Sequence, residues 1–258
     1  MLGLGSGISA TKLFQPNDIS ECVLAFHASD GVSVTEDSGI LIVDSWMDQA
    51  GTLSNGSRIY ATQVSTKRPV WNYSHITFDG ANDRLDLNEA DGTDVEVILD
   101  TSDGGWTILA VYSSDDWSAG NEAILGDPDN SQNFLRHKPG SPNQVEIKIN
   151  NNIKRFDLSE ALNNGRYHAI MVTASADSTS ELICYIDGVA LVDTETIANT
   201  NDLQIEQLAA KAGIDNLDGN IKHIVVYDKI LSSDERTLLN DWASRYTAVL
   251  KTIFQKLI

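Results

Sequence analysis

The sequence predicts an all-β protein with a short N-terminal arm and one C-terminal helix. Many short β-prone runs are separated by Gly, Asn and Asp clusters, the punctuation of a sandwich or barrel rather than of βαβ units. Within Ile76–Leu87, apolar residues alternate at Ile76 and Phe78 and again at Leu85 and Leu87, the period of two of half-buried strands. After Ser232 the period changes. Leu239, Trp242, Tyr246, Val249, Ile253 and Leu257 recur every three or four residues, one apolar stripe on a helix.

Taken in order, residues 1–19 read as an arm, because Gly3, Gly5 and Gly7 make a regular element entropically costly. Its isolated Leu and Ile side chains either dock on a neighbour or fray. Cys22–Ala28 is the first strand, and a Ser/Asp/Gly loop follows. Leu41–Trp46, Tyr60–Gln63 and Arg68–Trp71 precede Ile76–Leu87, where a Gly/Asn/Asp turn between two alternating runs predicts a hairpin. Trp106–Ser113 is a continuous β-prone run, as expected of a central strand. Ala123–Gly126, Asn133–Arg136, Val145–Ile149 and Ile153–Phe156 are shorter, with Asn150-Asn151-Asn152 turning the last pair. Tyr167–Ser175 and Glu181–Ile186 are strong strands, and Asp187-Gly188 starts a tight turn into Val189–Val192. Ile221–Tyr227 alternates again. Ser232 and Glu235 then form a capping box that opens the helix. The organisation is an arm over 1–19, a β domain over 20–231 and a helix over 232–258.

At 258 residues with 41% hydrophobic and 21% charged, the chain can bury a sizeable core. Its net charge of −19 sets it against nucleic acid and anionic membrane surfaces. Cys22 and Cys184 lie in apolar strand-like runs and read as buried free thiols, not a disulfide framework. Residues 1–9 lack the basic start and apolar core of a secretory signal, and no window reaches the roughly 18 apolar residues of a membrane span. The expectation is a chain made in the cytoplasm without membrane insertion.

Four pieces of sequence together resemble a known family. They are Ser45-Trp46-Met47-Asp48-Gln49-Ala50-Gly51; Ala61-Thr62-Gln63 with Arg68-Pro69-Val70-Trp71; Ile76 to Leu87, with its FDGxND turn; and Gly219 to Ser232. In order and spacing they resemble the laminin-G-like group of concanavalin A-like lectin/glucanase domains, above all the versions carried by bacteriophage and bacterial surface proteins. The resemblance covers about Glu21 to Tyr246. It implies an antiparallel β-sandwich (jelly roll), a fold that hosts lectins, glycosidases and structural modules alike.

Catalysis is not expected. A glycosidase of this fold needs carboxylates on alternate residues of one strand. Asp94 and Glu96 have that spacing but lie near a loop without aromatic or further acidic company. His27, His75, His137, His168 and His223 are scattered, and no G-x-S-x-G motif occurs. Many laminin-G-like domains bind Ca²⁺ at the sandwich rim, which makes Asp127 and Asp129, in an oxygen-rich loop, the candidate metal ligands. Sugar binding needs an exposed ring beside planar polar groups. Trp117, in the loop Asp115-Asp116-Trp117-Ser118, is the candidate ring, with Asp115 and Asp116 beside it, while Trp46, Trp71 and Trp106 read as core.

Domains of the family usually finish near the position of Tyr246. Here Val249, Leu250, Ile253, Phe254 and Leu257 carry the helix on with more apolar surface than one narrow stripe needs, and Lys251 and Lys256 give it a local positive sign. These residues are the candidate assembly surface, for a homo-oligomer or for other virion proteins. The functional expectation is a bacteriophage virion component, on capsid or tail, anchored through its termini. The alternative is a carbohydrate-binding adhesion module, Ca²⁺-assisted or not, that contacts host glycans.

Overall fold

A computed structural model describes residues 13–247 apart from 54–55, 64–67, 101–103, 119, 129–131, 142, 159–161, 163, 176–178, 199–201 and 213. After a 3-10 turn at Pro16–Asp18, the strands are β1 (Cys22–His27), β2 (Val32–Asp37), β3 (Ile40–Met47), β4 (Ile59–Gln63), β5 (Val70–Trp71), β6 (Ile76–Asp79) and β7 (Leu85–Glu89). Next come β8 (Val97–Leu99), β9 (Trp106–Ser114), β10 (Glu122–Gly126), β11 (Phe134–Lys138), β12 (Gln144–Ile149) and β13 (Asn152–Asp157). The chain closes with β14 (His168–Ala174), β15 (Thr179–Ile186), β16 (Val189–Ala198), β17 (Leu203–Ile205), β18 (Gln207–Leu208), β19 (Asp218–Tyr227) and the helix α1 (Ser233–Thr247).

The strands pair antiparallel and sort into the two layers of a sandwich. The first layer runs β16–β15–β14–β9–β19, with β1 and β6 side by side along the other edge of β19. The second runs β2–β3–β4–β7–β18–β10–β11–β12–β13. Short β5 joins the layers by pairing with both β3 and β6, and β8 and β17 form a separate ribbon.

Strand β9 explains the layering. All nine of its residues are buried. Trp106, Ile108 and Tyr112 point between the sheets, among Leu24, Phe26, Trp46, Phe78 and Leu85. Leu109 and Val111 point outward onto α1, among Val225, Leu239, Trp242 and Ala243. A strand buried on both faces reads as an unbroken apolar run, and Trp106–Ser114 does so. The capping box forms as the sequence predicts: the Ser232 amide donates to Glu235 (2.9 Å), and the Glu235 amide donates to the Ser232 hydroxyl (3.3 Å). The arm residues 1–12 and the helix extension, including Val249, Leu250, Ile253, Phe254 and Leu257, lie outside the described residues.

Two turns take the predicted form. Asn150 and Asn151 (φ 44° and 69°), and Asp187 and Gly188 (φ 50° and 84°), give the paired positive φ values of a two-residue hairpin turn. The segment Ile76–Leu87 does not form the predicted hairpin. β6 pairs with β19 and β5, while β7 pairs with β4 and β18, so the turn carries the chain from one layer to the other. Phe78 and Leu85 therefore meet in the core from opposite sheets.

Side chains, rather than cross-strand bonds, hold this corner. Asp79 Oδ1 accepts from the amides of Ala81, Asn82 and Asp83 at 2.9, 3.1 and 3.3 Å. Asp83 accepts from the amides of Asp79 and Arg68. Gly80 takes a φ of +70°, and a Cβ there would stand 2.7 Å from the Cβ of Asp218. β2 is a strand the sequence reading leaves as loop; it is largely exposed at a sheet edge and has little apolar alternation to betray it. Cys22 and Cys184 are free, the second fully buried. Among the described residues, no helix is long and apolar enough to cross a membrane.

Candidate functional site

Two recesses of opposite character flank the loop Asp115–Ser118. Backbone bonds fix that loop: the Asp115 amide donates to Asp218 O (2.9 Å), the Gly165 amide to Ser114 O (2.7 Å), and the Trp117 amide to Asn164 Oδ1 (3.1 Å).

On one side lies a cleft of about 380 Å³, lined by Asn164, Gly165, Arg166, Tyr167, Lys222, Tyr246 and Thr247. It sits on the outer face of the first sheet, just beyond the end of α1. The apolar part of that face ends at Val111. Past it, side chains of four segments bond in a row: Asn72 to Thr77 (2.9 Å), Thr77 to Asn220 (2.7 Å) and Asn220 to Ser113 (3.1 Å). Tyr167 is half-buried and hydrogen-bonds to Ser113. Burial pushes its phenol up to about 12, the Ser113 bond lowers it and the charge of Asp115 raises it.

Lys222 is the cation of this cleft. The register of β19 against β9 shifts between Ile221 and His223, and the bulge contains Lys222. Bulges commonly re-aim a side chain at a binding surface. Its ammonium lies 3.7 Å from the Tyr167 ring centroid and donates to the carbonyl of Tyr246 at 3.0 Å. That carbonyl is in the last turn of α1, where the helix presents its negative end. Partial burial lowers the Lys222 ammonium's proton affinity. Arg166 stands exposed beside it, 4.0 Å from Asp187. Among the described residues the lining offers two tyrosine rings, one amide and two cations, and no carboxylate. Such a set suits stacking on a sugar's C–H face, hydrogen bonding to hydroxyls and contact with an anionic group.

On the other side of the loop is a rim pocket of about 370 Å³, lined by Asp79, Gly80, Ala81, Gly120, Asn121, Glu122, Asp215, Asn216 and Asp218. Glu122 is only 3% exposed, and its Oε1 accepts from the Ser114 hydroxyl at 3.0 Å. Burial is the main reason its carboxyl is pushed up to about 7, with the nearby charges of Asp218 and Asp115 adding and the bonds from the Ser114 hydroxyl and the Asp218 backbone opposing. Burial and the charges of Asp115, Asp79 and Asp116 raise Asp218 as well.

The predicted site residues divide accordingly. Trp117 is 2% exposed and enclosed by Tyr112, His137 and His168 at ring separations of 5.2, 4.6 and 5.8 Å. It is a core residue and offers no free ring face, which corrects its assignment as the sugar-stacking residue. The loop folds inward because a tryptophan's apolar area outweighs its loop position. Asp115 and Asp116 remain at the surface between the two recesses, and Asp116 caps Ser118 at 2.9 Å. Asp127, directly after β10, is 3% exposed, and Asp129 lies outside the described residues. Among the described residues, no group of three His, Cys, Asp or Glu side chains is placed to hold a metal ion. Asp94 and Glu96 are exposed. Arg166, Tyr167 and Asn220 are not singled out by the sequence, because two segments far apart in the chain bring them together. Lys222 left one signal, a charge interrupting an apolar strand.

No family model matches this chain, and no curated protein matches it. Solved structures do resemble it in fold. Trypanosoma rangeli sialidase is 14% identical with a TM-score of 0.56, over 88% of this chain and 33% of that one. The binding domain of botulinum neurotoxin DC in complex with SialylT is 12% identical with a TM-score of 0.51, over 88% and 52%. The botulinum neurotoxin serotype D binding domain is 15% identical with a TM-score of 0.53, again over 88% and 52%. The chain spans about half the length of the toxin domains and a third of the sialidase. At these identities the likeness establishes the fold, an all-β sandwich.

Proposed function

We propose that this chain is a glycan-binding module that reads its ligand through the cleft between Tyr167, Lys222 and Tyr246. The observation that carries the reading is the Lys222 ammonium held 3.7 Å from the Tyr167 ring, beside Arg166 and the amide of Asn164. A molecule with a net charge of −19 has concentrated two cations and two aromatic rings in one recess. The toxin binding domain that shares the fold, solved in complex with SialylT, supports the same class of ligand. The reading is binding rather than turnover, because most glycoside hydrolases use a pair of carboxylates and the described residues that line this cleft include none. Calcium is not required for the same reason. A glycan array run with and without a chelator tests the reading: wild type binds a subset of glycans, the chelator changes nothing, and Tyr167→Ala abolishes the signal. An array at background for wild type would refute it.

A second reading, favoured by the apolar extension Val249–Leu257, is that the module is displayed on a bacteriophage virion, made in the host cytoplasm and attached through its termini. Removing residues 248–258 then reduces the mass of the assembled particle in size-exclusion chromatography with light scattering. An unchanged mass contradicts the attachment role of that segment.

A further inference from the structure

We propose that the rim pocket between β6, β10 and β19 is a second binding site, which seats an organic cation, a guanidinium or ammonium group, against Glu122 and Asn216. The inference does not depend on the glycan reading, since it uses none of the cleft residues.

Much of the pocket's acidity is already committed. Asp79 holds three amides of the corner, and Asp215 is paired with Arg136 and, at 3.1 Å, with Lys211. Beside the exposed Asp218 carboxylate, two buried acceptors are left over. Glu122 Oε2 and Asn216 Oδ1 are both buried atoms without a hydrogen-bond partner among the described residues. The Asn216 amide nitrogen donates to Ala81 O at 2.8 Å, which leaves its oxygen for another partner. The Glu122 side chain is more than nine-tenths buried, so an unmatched carboxylate oxygen there carries a full desolvation penalty. Neither oxygen meets a donor among the described residues.

The chemistry of that donor follows from the surroundings. An anion is excluded by Asp79, Asp215 and Asp218. A bare hard cation wants six to eight oxygens, whereas no metal-holding group of three side chains exists among the described residues. A volume of about 370 Å³ has room for the tip of a cationic side chain or polyamine, whose several N–H groups can reach the carboxylate and the amide oxygen together. Asp115 and Asp116, whose charges act on Asp218 of the lining, add a field that draws cations inward. The cation comes either from a partner protein's lysine or arginine or from a free polyamine.

The test is a carboxyl-carbon NMR titration of Glu122 in the full chain, alone and with Nα-acetyl-arginine amide, spermidine or calcium chloride. A bound organic cation favours the carboxylate, so at least one organic probe should lower the apparent pKa of Glu122 by about one unit, a tenfold change in proton affinity. Glu122→Gln and, separately, Asn216→Ala should weaken that probe about fivefold or more, the loss of a charge-assisted hydrogen bond. The Tyr167 resonances should stay in place. A response to the arginine amide alone assigns the site to a protein side chain, and a response to spermidine alone assigns it to a free polyamine. The proposal falls if neither organic probe moves Glu122 at about 10 mM, an affinity too weak to matter. It falls equally if calcium moves it more than either, or if both variants bind the probe as wild type does.

Discussion

The cleft and the rim pocket share a loop, yet they are built in opposite ways. The cleft rests on regular strand faces: Ser113, Thr77 and Asn220 occupy consecutive sheet positions, and one bulge turns Lys222 outward. The pocket is assembled from a corner and turns that aspartates hold by accepting backbone amides. One recess offers donors and rings, the other acceptors. A net charge of −19 therefore describes the whole surface and not either site. A composition that argues against polyanion binding coexists with a local cationic cleft.

If the two recesses are separate constructions, each can be broken without the other. The largest effect is expected from Trp242→Ala. Trp242 is 1% exposed and anchors α1 to the first sheet, so its removal costs about 3–5 kcal/mol in chemical denaturation. The loosened helix withdraws Tyr246 and its carbonyl from Lys222, so glycan binding drops while the Glu122 titration stays near 7. Gly80→Ala is the converse. Its φ of +70° and the 2.7 Å approach to Asp218 predict a loss of about 3 kcal/mol. The pocket distorts and the cleft keeps its ligand.

The pH dependence separates the regions by sign. Glu122 titrates near 7 when folded against 4.5 in its ordinary state, so the folded chain holds the extra proton between those values. Stability contributed at acid pH is therefore lost as pH rises from about 4.5 to 7. Glu122→Gln should match wild type at pH 4 and exceed it at pH 8, by about 2 kcal/mol. His27, beneath α1, is lowered by burial to about 4, as is His137 against Trp117. The unfolded chain protonates these first, so they remove stability as pH falls from 6.5 towards 4. Between about pH 4.5 and 6.5 the two contributions oppose each other in wild type, so Glu122→Gln, left with the histidine contribution alone, should lose stability more steeply as pH falls through that range. Lys222→Met has the smallest effect on folding, under about 1 kcal/mol for one partly exposed bond. It should still weaken glycan binding about tenfold, because a charged donor is lost.

The sequence makes the scaffold legible where local rules suffice. The double-sided burial of Trp106–Ser114, the Asn150-Asn151 and Asp187-Gly188 turns and the Ser232–Glu235 capping box each follow from a few adjacent residues. The corner at Asp79–Asp83 is legible as a turn but not as a change of sheet, since alternation gives the face of a strand and not its partner. Trp117 shows the limit for sites: loop residues look exposed in sequence, yet its ring is enclosed by side chains from β9, β11 and β14. The cleft was least legible. Tyr167, Lys222 and Tyr246 are far apart in the chain, and only the topology brings them together.

The most direct test of the glycan reading is chemical-shift mapping of the full chain with the strongest glycan from an array. Perturbations are expected to centre on Tyr167, Lys222, Asn164 and Tyr246, with Glu122 and Asn216 unmoved. Perturbations centred anywhere else on the sandwich, or none at saturating glycan, would contradict it.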